Sequence, residues 1–79
     1  MRLDKYLKVS RLIKRRTIAN EACDAGKVLV NGKPARASYD VKLGDTIHIT
    51  LGAREVEVEV TAIQETVGKN DASRLYKLK

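Results

Sequence analysis

The hydrophobic pattern of this chain of 79 residues changes its period once, at Gly26. Before Gly26, apolar residues recur at the spacing of one helix face. From Lys27 onward, apolar and polar residues alternate, as they do in a half-buried strand. Helical segments followed by strands predict an α+β fold, in which two N-terminal helices pack on a small, mostly antiparallel, twisted sheet. The length indicates a single domain over residues 1–79.

The first helix is predicted over residues 3–10. Its apolar face combines four residues at helical spacing: Leu3, Tyr6, Leu7 and Ser10. The opposite half of the helical wheel carries three basic residues: Arg2, Lys5 and Lys8. The helix is therefore amphipathic, with its basic half in solvent. The pattern breaks between Ser10 and Arg16, because in a continued helix Lys14 would point into the apolar face.

The second helix is predicted over residues 17–25, with Thr17 as its N-cap and Gly26 just beyond its end. Its predicted apolar face consists of Ile18, Ala22 and Ala25. Three polar side chains are expected to point outward: Asn20, Glu21 and Asp24. The N-terminal N–H groups and the dipole of such a helix favour a phosphate. Three basic residues come just before it: Lys14, Arg15 and Arg16.

The strand region begins with a predicted β-hairpin. Asn31-Gly32 is a signal for a type I′ turn, and Pro34 in the return strand favours the edge of a sheet. Two longer strands follow, with inward residues at every second position: Ile47, Ile49, Leu51, Val56, Val58 and Val60. Residues 66–73 are expected to form a loop before a last short strand near residues 75–78.

The net charge of +6 lies entirely at the start of the chain. Residues 1–16 hold seven basic residues and one acidic residue, Asp4, whereas residues 17–79 hold nine of each kind. A local basic block attracts polyanions and speeds their capture. Because the rest of the chain is balanced, this distribution favours nucleic-acid binding over the alternative, a basic face that only aids solubility.

Few residues of the chain suit catalysis or metal binding. His48 is the only histidine and Cys23 the only cysteine, so neither a metal site nor a nucleophile with its base is apparent. The glycines form neither a phosphate loop nor a dinucleotide fingerprint. We therefore expect no enzyme activity, no metal and no cofactor. One acidic strand face could bind a divalent cation but is more typical of a solvated surface: Glu55, Glu57 and Glu59.

The sequence also predicts where the protein resides. No apolar run approaches the roughly 18–20 residues of a transmembrane helix. The basic N-terminus lacks the apolar stretch of a signal peptide. A single cysteine excludes an internal disulfide. We expect a cytoplasmic protein with no membrane partner.

The predicted hairpin has two interpretations. It either only reverses the chain, or its basic flanks extend the basic block toward a phosphate track shared with the second helix. Those flanks are Lys27, Lys33 and Arg36. The residues alone leave both interpretations open.

Five short motifs occur in a specific order: Arg-Leu-Asp-Lys-Tyr-Leu at residues 2–7, Arg-Leu at 11–12, Arg-Arg-Thr-Ile-Ala at 15–19, Gly-Lys-Val-Leu-Val-Asn-Gly at 26–32 and Gly-Asp-Thr-Ile at 44–47. Together they resemble the RNA-binding domain family named after ribosomal protein S4. In that family two helices and the following hairpin, the αL motif, form one positively charged surface that faces RNA. The resemblance is close over an S4-like core at residues 1–51 and thins over the strand-rich residues 52–79.

The resemblance implies which side chains contact RNA. These are Arg2, Lys5, Lys8, Arg11, Lys14, Arg15, Arg16 and Lys33. It also implies that Leu3, Leu7 and Ile18 lie in the core.

Residues 1–17 are most similar to stand-alone family members of the bacterial ribosome-quality-control type. This similarity implies binding to large ribosomal subunits that carry an obstructed peptidyl-tRNA, with contacts to ribosomal RNA and to the P-site tRNA. With an RqcH-type tailing factor as partner, such a protein supports addition of a C-terminal alanine tail. Away from the ribosome a monomer is expected. The heat-shock ribosome-associated proteins are the next most similar group and usually have Trp where Tyr6 stands.

Two other functions are compatible with the residues. A helix-turn-helix DNA-binding protein would account for two short helices and a basic block, although the acidic residues of the second helix suit a major groove poorly. A protein-interaction module would instead use the acidic strand, with the basic block serving solubility alone.

Overall fold

The computed structural model describes residues 1–64 and 72–79, and it has the predicted α+β architecture. Helices α1 (Leu3–Val9) and α2 (Arg16–Asp24) precede all strands. The strands are β1 (Val28–Val30), β2 (Lys33–Pro34), β3 (Thr46–Leu51), β4 (Arg54–Val60) and β5 (Tyr76–Leu78). They form one sheet in the order β2-β1-β3-β4-β5, and every neighbouring pair is antiparallel. Of the loop predicted over residues 66–73, residues 66–71 lie outside the described part, and a 3-10 helix, Ala72–Leu75, begins within the rest.

Helix α1 has the predicted apolar face. Leu3, Tyr6 and Leu7 are fully buried, and Ser10, which follows the helix, is buried as well. The hydroxyl of Tyr6 donates a hydrogen bond of 2.6 Å to the carbonyl oxygen of Leu75. Because buried polar groups need partners, this bond ties the segment before β5 to the first helix of the chain.

Helix α2 differs from the prediction in its start and in its buried face. It begins at Arg16, after Arg15 as the N-cap residue, so Thr17 lies inside the helix and is no cap. The predicted core residue Ile18 is 45% exposed, and Ala25 is exposed too. The buried face instead consists of Ala19, Ala22 and Cys23. These three small residues recur at i, i+3 and i+4, and they allow the helices to approach closely, whereas the larger Ile18 lies at the margin of the contact.

The sheet alternates between a buried and an exposed face, as predicted. Its buried residues join those of the helices in one core: Val28, Val30, Ile47, Ile49, Val58 and Val60. On the outer face, Leu29, His48 and Glu57 lie side by side across three strands. The helices therefore cover one side of the sheet, and the acidic residues of β4 lie on the other.

The β1–β2 hairpin has the predicted type I′ turn. Asn31 and Gly32 have positive φ angles of 54° and 84°, the conformation that such a turn requires at both central residues. The side chain of Asn31 donates to Asp45 Oδ1 (3.0 Å), and its carbonyl oxygen accepts from the N–H of Thr46 (3.0 Å). Asp45 is buried and also accepts from the hydroxyl of Tyr39 (2.9 Å). The hairpin tip is thus fixed to the start of β3.

Replacing Asn31 by glycine tests how much its side-chain hydrogen bonds contribute to stability, apart from the turn conformation of its backbone. Asn31→Gly keeps the positive φ but deletes both hydrogen bonds, so we expect the free energy of unfolding to fall by about 1–3 kcal/mol. Urea denaturation followed by circular dichroism measures this change. Lys33→Ala, an exposed position on the same hairpin, serves as the control and should change stability by less than about 0.5 kcal/mol. Equal midpoints for Asn31→Gly and the unchanged protein would contradict the role given to Asn31.

Candidate nucleic-acid interface

A buried carboxylate, Asp4, lies in the first turn of α1 and faces α2. Its residue is 2% exposed. Arg2 donates to it through Nε (3.2 Å) and Nη2 (3.4 Å), and Arg16 donates through Nε (3.2 Å) and Nη2 (3.5 Å). Asn20 Nδ2 (3.3 Å) and the N–H of Lys5 (2.8 Å) complete the set of donors. Asp4 therefore joins both helices at their N-terminal ends.

These donors keep Asp4 ionised. Burial raises the pKa of its carboxyl group, but the hydrogen bonds from Arg16, Arg2, Asn20 and the N–H of Lys5 together outweigh burial, so the pKa lies below its ordinary value. At neutral pH the cluster holds two guanidinium cations and one carboxylate, a net charge of +1. The side chains of Arg2 and Arg16 are 52% and 47% exposed, so both arginines can also be reached from solvent.

The cluster around Asp4 contains residues for which the sequence predicts other positions. Asn20, predicted to point outward, donates to Asp4 instead. In the sequence, Asp4 stands out only as the single acidic residue of a basic block. Its place beside Leu3 at the edge of the apolar face is the signal that it could reach the interior. The structure brings Arg2, which immediately precedes α1, and Arg16, the first residue of α2, together on this carboxylate.

The turn between the helices presents further basic side chains to solvent. Arg11 follows α1 with a φ of 62°, a left-handed conformation that usually takes glycine at the end of a helix. The N–H of Ile13 donates to the carbonyl of Leu7 (3.1 Å), and the buried Ile13 anchors the turn in the core. Arg11, Lys14 and Arg15 are exposed, and within the described ranges their side chains form no hydrogen bond or ion pair.

The other basic residues of α1 differ in exposure. Lys8 is exposed and, like Arg11, has no side-chain partner among the residues that the structure describes. Lys5 is only partly exposed. We name the set that projects into solvent the basic helix face: Arg2, Lys8, Arg11, Lys14, Arg15 and Arg16.

The segment that follows the hairpin lies against the N-terminus of α1. The N–H of Leu3 donates to the carbonyl of Tyr39 (2.8 Å), and that of Asp4 donates to the carbonyl of Ala37 (3.2 Å). An open groove of about 690 Å³ beside this segment is lined by Lys33 and Arg36, among other residues. The exposed Lys33 thus stands on an edge strand whose continuation packs against α1, an arrangement that favours the second interpretation of the hairpin, an extension of the basic block.

The outer face of the sheet has the opposite character. His48 Nε2 lies 3.3 Å from Glu55 Oε1, and His48 Nδ1 lies 3.8 Å from Glu57 Oε2. Glu59 Oε1 lies 4.0 Å from Lys79 Nζ. In the part of the chain that the structure describes, no group of three histidine, cysteine or acidic residues could hold a metal ion.

Cys23 lies in the hydrophobic core, away from the basic helix face. Burial, followed by the nearby Asp4 and Asp24, raises the pKa of its thiol to about 11, so the thiol stays protonated at neutral pH.

No helix within residues 1–64 and 72–79 is long and apolar enough to cross a membrane.

Comparisons with known proteins agree with this geometry. The family described as S4 domain matches residues 1–47. The chain is 56% identical over 79 residues to the RQC P-site tRNA stabilizing factor of Halalkalibacterium halodurans, covering all of this chain and 90% of that protein. It is 50% identical over 76 residues to the protein of that name from Bacillus subtilis, covering 96% and 88%. A trimeric structure of Vibrio cholerae Heat Shock Protein 15 superimposes with a TM-score of 0.93 at 32% identity, covering all of this chain and 81% of that one.

The low pKa of Asp4 gives the protein a definite response to acid. A carboxylate whose pKa is lower in the folded state stabilises that state above its unfolded pKa, near 3.8, and this stabilisation is lost as the pH falls through the lower folded value. Asp45, whose burial is outweighed by hydrogen bonds from Lys42, Asn31 and Tyr39, acts in the same direction. We expect urea midpoints to be unaffected by these groups from pH 7 to 5 and to fall below pH 4.

The variant Asp4→Asn tests this assignment. It should be less stable than the unchanged protein by about 1–3 kcal/mol at pH 7, because an NH2 group replaces one carboxylate oxygen and the negative charge that the arginines bind is lost. The difference should shrink as the pH falls below 3.8 and through the lowered folded-state pKa of Asp4, because Asp4 itself then becomes protonated. A difference that stays constant from pH 7 to pH 2.5 would contradict the role of its charge.

The left-handed residue Arg11 generates another prediction. Arg11→Gly removes the steric cost of a side chain at this φ, so we expect the free energy of unfolding to rise by about 0.5–1 kcal/mol. The same change should weaken RNA binding, because it removes a charge that has no partner among residues 1–64 and 72–79. Arg11→Lys keeps both charge and strain and should leave stability nearly unchanged. Urea denaturation and filter binding measure the two effects, and a destabilised Arg11→Gly would show that the arginine is not strained.

Proposed function

Because the chain belongs to the S4 domain family, we propose that it is a non-catalytic RNA-binding factor of the large ribosomal subunit. It binds ribosomal RNA and the P-site peptidyl-tRNA on obstructed subunits. With an RqcH-type tailing factor it supports addition of a C-terminal alanine tail to the stalled chain. Relatives that carry the name RQC P-site tRNA stabilizing factor at 50–56% identity over nearly the whole chain support this proposal.

The observation that carries the proposal is the basic helix face. Arg2, just before α1, and Arg16, at the start of α2, converge on Asp4, and the exposed basic residues of the interhelical turn continue the surface. RNA helices are recognised mainly through shape and backbone, so a rigid array of cations suits ribosomal RNA and tRNA. Arginines bind phosphates through two parallel hydrogen bonds, and the start of α2 adds backbone donors beside Arg15 and Arg16.

In this mechanism the protein does no chemistry. It holds the P-site tRNA and ribosomal RNA in position by phosphate contacts, and it supports tailing by this positioning alone. Lys33 and Lys5 add contacts from the hairpin and from the flank of α1. The acidic outer face of the sheet repels phosphate, so RNA approaches from the helix side only. Residues 1–51 supply the RNA contacts, and away from the ribosome the protein is a monomer.

A second candidate function is that of a heat-shock ribosome-associated protein, which binds large subunits carrying nascent chains. The close superposition with Vibrio cholerae Heat Shock Protein 15 favours it. The two functions differ in their product. Deleting the gene should abolish alanine tails on obstructed chains if the quality-control function is correct. Unchanged alanine tails together with lost binding to nascent-chain subunits would favour the heat-shock function.

Co-sedimentation tests the proposed surface directly. We expect the protein to sediment with large subunits that carry peptidyl-tRNA, more strongly than with whole ribosomes. The double variant Lys8→Ala/Arg15→Ala should weaken this binding by about tenfold or more and lower the salt slope by about two, because two phosphate contacts are lost.

A control with the same change in charge separates the surface from net charge. Lys42→Ala/Lys77→Ala removes two exposed cations outside the basic helix face and should stay within about twofold of the unchanged protein. Equal losses in the two double variants would show that net charge, and not this surface, determines binding. Tight binding that does not respond to salt would contradict the phosphate contacts themselves.

A further inference from the structure

We infer that Asp4 is a positioning residue that makes the proposed RNA surface selective, by fixing the direction in which Arg2 and Arg16 present their free N–H groups. This inference rests on the proposed function. It concerns a residue that is itself acidic, within a surface expected to bind phosphates.

The hydrogen bonds define which edge of each guanidinium is occupied. Arg2 and Arg16 both bind Asp4 through Nε and Nη2. A guanidinium carries five N–H groups, one on Nε and two on each terminal nitrogen. The bonds to Asp4 use the side edge, so Nη1 and the second hydrogen of Nη2 are left as an end-on pair. Two parallel donors of this kind match the oxygens of a phosphate.

The exposure of the side chains agrees with such a use. Arg2 and Arg16 are each about half exposed, at 52% and 47%, whereas Asp4 is only 2% exposed. Both carboxylate oxygens are saturated: Oδ1 accepts from Arg2 Nε, Arg16 Nη2 and the N–H of Lys5, and Oδ2 accepts from Arg2 Nη2, Arg16 Nε and Asn20 Nδ2. The carboxylate is therefore covered by the groups that it orients and cannot itself contact RNA.

Charge and orientation make opposite predictions for this residue. If only charge mattered, Asp4 would weaken RNA binding, because it cancels one of the two positive charges beside it. If orientation matters, removing Asp4 frees two long side chains to adopt many rotamers, and ordering them again on binding costs entropy. Such a loss affects an RNA of fixed shape, whose phosphates stand at set positions, far more than a flexible strand that adapts to the arginines.

The experiment compares two RNAs with one variant. Binding of Asp4→Asn is measured against large subunits carrying peptidyl-tRNA and against single-stranded poly(U), at the same salt concentration. We expect affinity for the subunits to fall about tenfold or more, and affinity for poly(U) to stay equal or to rise up to about threefold because the net charge has increased by one. A role of Asp4 in stability alone would lower both affinities together and leave their ratio unchanged, which would overturn the inference. A rise in both affinities would overturn it as well.

A second variant keeps the test decisive if Asp4→Asn does not fold, as shown by rapid reaction of the buried Cys23 thiol. Arg16→Lys keeps the positive charge and an ion pair with Asp4 but replaces the two parallel donors with a single ammonium group. It should lose affinity for the subunits about tenfold and keep its affinity for poly(U). If Arg16→Lys retains the selectivity of the unchanged protein, the inference is wrong.

The affinities of the unchanged protein for the subunits and for poly(U) show whether a negative result concerns this inference or the proposed function. Failure of the unchanged protein to prefer the subunits over poly(U) would contradict the proposed function. A preference that persists in both variants would contradict only the positioning role of Asp4.

Discussion

The ionised carboxylate of Asp4 is the interaction on which the arrangement of the helices depends. A buried charge is costly unless it is paired and hydrogen-bonded. Asp4 meets this condition through Arg2, Arg16 and Asn20, and its own N–H donates to the carbonyl of Ala37 in the segment after the hairpin. The apolar residues that α2 contributes to its contact with α1 are small. This polar cluster therefore does much to fix the position of α2 relative to α1.

A second buried aspartate has the corresponding role at the hairpin. Asp45 accepts from Asn31, Tyr39 and the N–H of Lys42, and so it connects the turn, the return segment and the start of β3. Both halves of the proposed RNA surface are therefore positioned by carboxylates that do not belong to it. This domain is small and its core is thin. A few such saturated polar clusters therefore help to fix the relative positions of its helices and strands, a task that apolar packing alone fulfils in larger proteins.

Structural elements could be predicted from the sequence where a single local pattern determines them. The change of period predicted helices before strands, and Asn31-Gly32 predicted the I′ hairpin, because few other residues adopt two consecutive positive φ angles. The phase of α2 could not be predicted, since alanines carry little hydrophobic contrast and Ile18 outweighed them. The cluster around Asp4 was hidden for a different reason: its members come from two helices, and a buried carboxylate becomes plausible only when all its donors are known.

The separation of charge between the basic helix face and the glutamates of the outer sheet face makes the molecule an electric dipole. In the field of a polyanion a dipole experiences a torque, which turns its positive end toward the source before any contact is made. Collisions with the ribosome would then begin with the helices foremost more often than chance allows. The glutamates of β4 can thus influence the rate of encounter although they lie outside the proposed RNA surface.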